Sequence, residues 1–154
     1  MHSNFKSNKM TKAEALEQIR KAKLGHKKWI SYAKAMHMGI GVDKDAVPMM
    51  ETDCNFGKWY YGEGQVFSDM ESFQAIEAPH SLLHQTYMKL YKARRKPVKS
   101  GLFVSKSKAQ NEKQANLDNI MNQLLQVSQI LMDNLQEFEN DIKNMNEFEF
   151  SKLI

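Results

Sequence analysis

The sequence predicts an all-α protein, arranged as an antiparallel four-helix bundle with a long C-terminal helix. Three observations support this class. Gly and Pro, which interrupt helices, number only 7 and 3 among 154 residues. Apolar side chains recur every three or four residues, as they do on the buried face of a helix. Residues 108–145 contain neither Gly nor Pro, so one helix of about 38 residues is expected there.

The composition excludes several classes of protein. Hydrophobic residues make up 42% and charged residues 26%, close to the averages of globular domains, so disorder throughout the chain is not expected. The single Cys excludes an internal disulfide. No apolar run is long enough for a transmembrane helix or a signal peptide, so we expect a cytoplasmic protein without a membrane span.

The charge pattern favours helix pairing over nucleic-acid binding. The formal net charge is +4, but basic and acidic residues alternate in blocks, and residues 89–113 hold nine Lys or Arg against one Glu. Alternating blocks suit antiparallel helices that attract one another, and a basic block suits the C-terminal end of a helix. We therefore do not expect nucleic acid as a partner, and an absence of salt-dependent binding would dismiss it.

The first helix is predicted to begin at a capping box formed by Thr11 and Glu14. Residues 1–10, which precede it, have no hydrophobic pattern and are expected to be a flexible tail. Gly39 and Gly41 are expected to end the helix. Its inward face is predicted at Leu16, Ile19, Lys23, His26, Ile30, Ala33 and His37.

A second helix is predicted over Thr52–Tyr61, with Thr52 or Asp53 as its N-cap and Gly62 and Gly64 as its end. A third helical stretch is expected over residues 65–78.

Pro79 fits the first turn of a further helix, because its missing N–H would be unpaired there anyway. This helix is predicted to reach about Arg95 and to be followed by a break at Pro97. Ser100 and Gly101 then mark a turn.

The last helix repeats apolar residues at seven-residue spacing, at Leu117, Leu124, Leu131, Phe138 and Met145. Its length exceeds what a bundle of this size needs. We therefore expect residues 11–135 to form the bundle and residues 136–154 to extend from it and pack on another chain. The alternative is a break near Asn134, after which the chain folds back.

Four residues are candidates for a metal site. His80 and His84 are four residues apart on one helix, so both imidazoles lie on the same face and can reach one ion. His26 lies on the inward face of the first helix, and Cys54 is the only Cys, and so the only thiol, in the sequence. Zinc favours four N and S ligands in tetrahedral geometry, so one Cys and three His would fill its shell.

His37 competes with His26 for the place on the first helix. The two are eleven residues apart, or about 16 Å along a helix axis, so only one can join His80 and His84. His2 lies in the tail and is not expected to take part.

Three segments of the sequence resemble the bacterial chemoreceptor zinc-binding (CZB) domain. They are HKKW at residues 26–29, DCNFGKWYYG at residues 53–62 and HSLLH at residues 80–84. The resemblance extends over about residues 11–135, and the Cys–x–x–Gly–x–Trp block is its most specific part. It implies a four-helix bundle that binds one Zn²⁺ per chain through His26, Cys54, His80 and His84.

Other residues of these segments have physical interpretations. Trp29 and Trp59 are expected to be apolar walls that keep water from the metal. A carboxylate from Asp53 or Glu77 is expected to orient a ligand imidazole. Gly57 is expected to let a neighbouring helix approach closely.

The resemblance implies a cytoplasmic regulatory domain that senses zinc or an oxidant. Similar domains form homodimers and occur with chemotaxis receptors or diguanylate cyclases, so a chemotaxis or cyclic-di-GMP context and a signalling partner are expected. No output domain is visible, so the chain is expected to stand alone. A site with four protein ligands has no open position for substrate, which argues against an enzyme. The alternative is a structural role, in which zinc staples a dimeric adaptor.

Overall fold

A computed structural model describes residues 9–41, 48–99 and 101–154. These residues form helices and no β-strand, which confirms the all-α class for the described part of the chain. His2 lies outside it. The helices are α1 (Lys12–His37), α2 (Asn55–Tyr61), a 3₁₀ helix (Glu63–Phe67), α3 (Glu71–Gln74), α4 (Glu77–Arg95), α5 (Lys106–Asn144) and α6 (Glu147–Ser151).

Helix α1 begins at the predicted capping box. The Thr11 hydroxyl accepts a hydrogen bond from the Glu14 backbone N–H at 3.1 Å, and the Glu14 carboxylate accepts one from the Thr11 N–H at 2.7 Å. The helix ends at His37, and Gly39 follows with a φ of 82°, which favours glycine.

The buried face of α1 differs in part from the predicted one. Ile19, His26 and Ala33 are buried as expected, but the rest of the face is shifted by one position. Its remaining members are Ala15, Ala22, Trp29 and Met36 rather than Leu16, Lys23, Ile30 and His37. Small Ala side chains let α1 approach its neighbours closely, and the partly buried Lys23 pairs with Glu139 of α5.

The three long helices pack against one another, with α5 antiparallel to both α1 and α4. Near the end of α1, His37 lies 2.6 Å from Asp118, whereas Lys12 at its beginning donates to the carbonyl of Met145 at 2.6 Å. The region that would form a fourth long helix is instead divided into α2, the 3₁₀ helix and α3. None of the described helices is both long and apolar enough to cross a membrane.

The second half of α5 packs within its own chain. The helix continues through Asn134, so the break considered there is absent. Asn134 instead donates to the carbonyl of Ala75 at 2.7 Å. Further along, the ring of Phe138 is 5.4 Å from those of Phe67 and Phe73. The apolar row of this half is thus covered within the chain, and packing of residues 136–154 on another chain stays a prediction.

Gly57 is required by a close approach of the chain to itself. A Cβ built at this position would lie 1.7 Å from the carbonyl oxygen of Glu51, in the turn that leads into α2. The expected neighbour was another helix, so the reason for the glycine differs from the prediction. Gly25, exposed on α1, has nothing within 4 Å of such a Cβ.

We expect Gly57→Ala and Gly25→Ala to change stability in opposite directions. At Gly57 the added methyl must displace the backbone of Glu51, and overpacking of this kind costs about 1–3 kcal/mol. At Gly25 it removes the flexibility of a glycine within a helix, which stabilises by about 0.5–1 kcal/mol. Urea unfolding of both variants measures these changes. A Gly57→Ala protein as stable as the parent would contradict the packing described at Glu51.

Candidate metal centre

Four buried side chains converge between α1, α2 and α4. Their donor atoms, one nitrogen from each of His26, His80 and His84 and the sulfur of Cys54, all lie within 4.8 Å of one another. The Sγ of Cys54 is 3.3 Å from Nε2 of His80, and that nitrogen is 3.2 Å from Nε2 of His84. The structure thus brings together the four residues named from the sequence.

Cys54 is held by the beginning of α2. It is the N-cap residue, and its sulfur accepts a hydrogen bond from the Gly57 backbone N–H at 3.1 Å. Thr52 and Asp53, the predicted caps, do not have this role. The cap fixes the sulfur on the inner side of the turn, where His80 also lies.

Two of the imidazoles are oriented by backbone carbonyls. Nδ1 of His26 is 2.7 Å from the carbonyl oxygen of Ala22, and Nδ1 of His84 is 3.4 Å from that of Met49. A carbonyl oxygen can only accept, so each Nδ1 carries the proton. Each Nε2 therefore has a free lone pair, and both rings are prepared to bind a cation through that atom.

Nδ1 of His80 is buried and has no hydrogen-bond partner among the described residues. Its Nε2 faces the Cys54 sulfur and the Nε2 of His84. Nitrogen and sulfur lone pairs thus meet in a space with too few protons to satisfy them, which is unfavourable in a buried site. A metal cation bound to all four donors would remove this conflict, so the residues fit a metal site.

Burial controls the protonation of the donors. It lowers the pKa of His26, and it lowers the pKa of His80 to about 3 and that of His84 to about 4, with the neighbouring imidazoles adding to both shifts. The three rings are therefore neutral and able to bind a metal at pH 7. Burial raises the pKa of the Cys54 thiol, although the N–H groups of Gly57 and Phe56 oppose this.

Aromatic rings close the site on two sides. Trp29 lies 4.2 Å from His84 and 5.7 Å from His26, measured between ring centroids, as expected for a wall. Phe56 lies 5.2 Å from His80 and 5.9 Å from His26. Phe56 was given no role from the sequence, because nothing in its spacing separates it from an ordinary apolar residue.

Trp59 lies in the aromatic cluster beside the site. Its ring is 5.9 Å from Phe56 and also packs on Phe67 and Phe73, and it is not among the aromatic neighbours of the imidazoles. It thus supports the wall formed by Phe56.

The predicted orienting carboxylates are not observed in that role. In the described part of the chain, neither Asp53 nor Glu77 makes a hydrogen bond to an imidazole. Glu77 instead accepts one from the Tyr61 hydroxyl at 3.4 Å. Backbone carbonyls replace them, as described above for His26 and His84.

His37 lies away from the cluster. Its Nε2 is 2.6 Å from the carboxylate of Asp118 and 3.4 Å from the side-chain nitrogen of Gln114, at the far end of α1. Of the two candidates on this helix, the structure places only His26 with Cys54, His80 and His84.

Residues 26–91 match the family model of the chemoreceptor zinc-binding domain, which confirms the resemblance found in the sequence. The matched segment begins at His26 and includes all four residues of the cluster. No curated protein and no solved structure matches the chain.

The metal-free protein is expected to lose stability as the pH falls below about 6.5, the ordinary pKa of His. Folding lowers the pKa values of His80 and His84, so the unfolded chain binds protons at a higher pH than the folded protein does. The loss of stability due to His84 ends near pH 4, and the loss due to His80 ends near pH 3. Each group contributes up to about 1.4 kcal/mol per pH unit in this range. Urea unfolding with a chelator present measures the slope.

The matched variant is His80→Gln, which removes one of the three imidazoles whose pKa values burial lowers. We expect a smaller loss of stability per pH unit in this variant. A slope that is the same with and without the His80 imidazole would contradict the assignment.

Proposed function

We propose that the chain is a zinc-binding regulatory domain in which His26, Cys54, His80 and His84 hold one Zn²⁺. The observation that carries the proposal is the convergence of these four buried donors within 4.8 Å. The match of residues 26–91 to a zinc-binding domain family supports it.

The chemistry of the donors favours zinc. Three neutral imidazoles and one sulfur form a mixed N and S set of the kind that zinc binds with four-coordinate geometry. When bound, the ion would keep the Cys54 sulfur as a thiolate despite the burial that raises the pKa of the thiol. Four protein donors leave no position for a substrate, so the proposed role is regulatory rather than catalytic.

Cys54 is the residue on which we expect a signal to act. A cavity of about 320 Å³ reaches both Cys54 and His26, and Lys21, Gly25, Pro48 and Asn55 are among the residues that line it. A small oxidant could reach the sulfur along this path. Loss of the sulfur as a donor would release the beginning of α2 from α1 and α4.

The long α5 would carry the change to a partner, because it packs on both α1 and α4. A chemotaxis or cyclic-di-GMP pathway in the cytoplasm is the proposed context, as the resemblance implies. We also propose a homodimer. Leu82 on α4 and Ile130 on the adjacent α5 are 44% and 53% exposed and offer an apolar surface for it.

Cys54→Ser and His80→Gln are expected to weaken zinc binding by more than roughly 100-fold, because each removes a direct ligand. His37→Gln is the matched control, since it removes an imidazole that lies outside the cluster. Competition with a chromophoric chelator measures the affinity. Wild-type protein and the control should each bind one zinc ion per chain. Equal weakening by His37→Gln, or wild-type affinity in both ligand variants, would contradict the assigned ligands.

A sensor and a zinc-stapled adaptor differ in what happens when zinc is removed. For a sensor, we expect a chelator or mild oxidant to release zinc from the folded protein and to increase amide hydrogen exchange in α2. Exchange around Phe138 should stay slow, because its aromatic neighbours are Phe67 and Phe73 and not the donor imidazoles. Release of zinc only together with global unfolding would instead support the adaptor.

A further inference from the structure

The turn between α4 and α5 exposes two large apolar side chains. Leu102 is 99% and Phe103 98% exposed, more than any other large apolar residue in the described part of the chain. Gly101 and Val104 exchange two backbone hydrogen bonds of 3.3 Å, which close the turn beneath them. The centre of such a turn usually holds Gly, Asn, Asp or Pro, and no contact within the fold explains Leu and Phe there.

Exposed lysines surround these two residues. Lys96 and Lys99 precede the turn, and Lys106 and Lys108 follow it; all four are exposed. None of the four forms an ion pair with any residue that the structure describes. The sequence contains no Asp or Glu from residue 89 to residue 111. We call Leu102, Phe103 and these four lysines the basic tip.

Helix stability does not account for all of this charge. Cations in the last turn of α4 interact favourably with the helix C-terminus, and Lys113 donates to the carbonyls of Arg94 and Lys96 there. Lys106 and Lys108, however, lie in the first turn of α5, which contains no acidic residue. Positive charge at a helix N-terminus is unfavourable, so helix stability does not explain these two lysines.

We propose that the basic tip docks on the surface of a bilayer that contains anionic phospholipids. Phe103 and Leu102 would enter the boundary between headgroups and acyl chains, and the lysines would meet the phosphate groups above it. A protruding two-residue turn suits insertion better than a protein interface, which buries about 800 Å² on each partner. Nucleic acid would supply phosphates and could stack on Phe103, but it offers nothing that requires Leu102.

The basic tip is separate from the metal cluster. Lys96, the C-cap of α4, is twelve positions after His84, or about 18 Å along a helix axis. Substitutions in the tip should therefore leave zinc affinity unchanged. Zinc affinity and vesicle binding can both be measured on each variant. Failure of this proposal can therefore be distinguished from failure of the proposed zinc site.

Co-sedimentation of the zinc-loaded full chain with lipid vesicles tests the proposal. We expect binding to vesicles of phosphatidylglycerol and phosphatidylcholine, weakening with added salt, and little binding to phosphatidylcholine alone. Leu102→Ser with Phe103→Ser should weaken binding by roughly tenfold or more. Replacing Lys99 or Lys106 by Gln should weaken it by roughly fivefold each. The matched control is Leu24→Ser with Phe148→Ser, which removes two exposed apolar residues elsewhere and should not change binding.

Phe103→Trp gives a spectroscopic measure of insertion. Trp29 and Trp59 are 8% and 6% exposed, so their emission should not change when vesicles are added. Emission of the new Trp should move to shorter wavelength on anionic vesicles if the turn enters the bilayer.

Four outcomes would overturn the proposal. They are an absence of vesicle binding, equal binding to neutral vesicles, retention of binding when both apolar residues are replaced, and no emission change at position 103. Two further outcomes would assign the tip to another partner and so also reject it. One is loss of self-association in the double Ser variant, measured by sedimentation, and the other is binding of single-stranded RNA that depends on Leu102 and Phe103.

Discussion

The buried donor atoms of the metal site have more lone pairs than there are protons to satisfy them, and a bound cation would remove this imbalance. Backbone carbonyls hold the protons of His26 and His84 on Nδ1, so their Nε2 atoms are left as acceptors in an apolar enclosure. The Cys54 sulfur and the His80 ring face the same space. Without a cation these atoms are poorly satisfied, and with one they connect α1, α2 and α4 at a single point. Burial lowers the pKa values of the three imidazoles, which keeps them neutral and able to bind that cation at pH 7.

A second cluster gives the fold a centre of its own. Phe67, Phe73 and Phe138 pack together, and Phe150 of α6 lies 5.9 Å from Phe67. These four rings are almost completely buried, and they connect the short helices to the second half of α5. Trp59 packs on both Phe67 and Phe56, so it joins this cluster to the aromatic wall of the donor site. The contacts of Phe138 with Phe67 and Phe73 involve none of the four donor residues, so loss of a bound metal should affect the region of α2 before that of Phe138.

Much of the fold could be predicted because its signals are local. A capping box, a pair of His four residues apart and a glycine that ends a helix each act within one or two turns. The shifted face of α1 could not be predicted, because three- and four-residue spacing fits two adjacent rows and only the partner helix selects between them. The partners of Phe138 were missed for a similar reason, since they come from short helices with little periodicity. The carbonyls of Ala22 and Met49 belong to the backbone, so no side-chain pattern reveals them.

The sulfur of Cys54 is both the cap of α2 and a member of the donor set. Alkylation or oxidation removes the thiolate charge that a bound cation would maintain on this sulfur, and so weakens both functions at once. No stage then exists in which α2 is uncapped while all four donors remain. One atom thus joins the end of a helix to the donor set. A chemical change at the sulfur and the loss of the α2 cap therefore occur together.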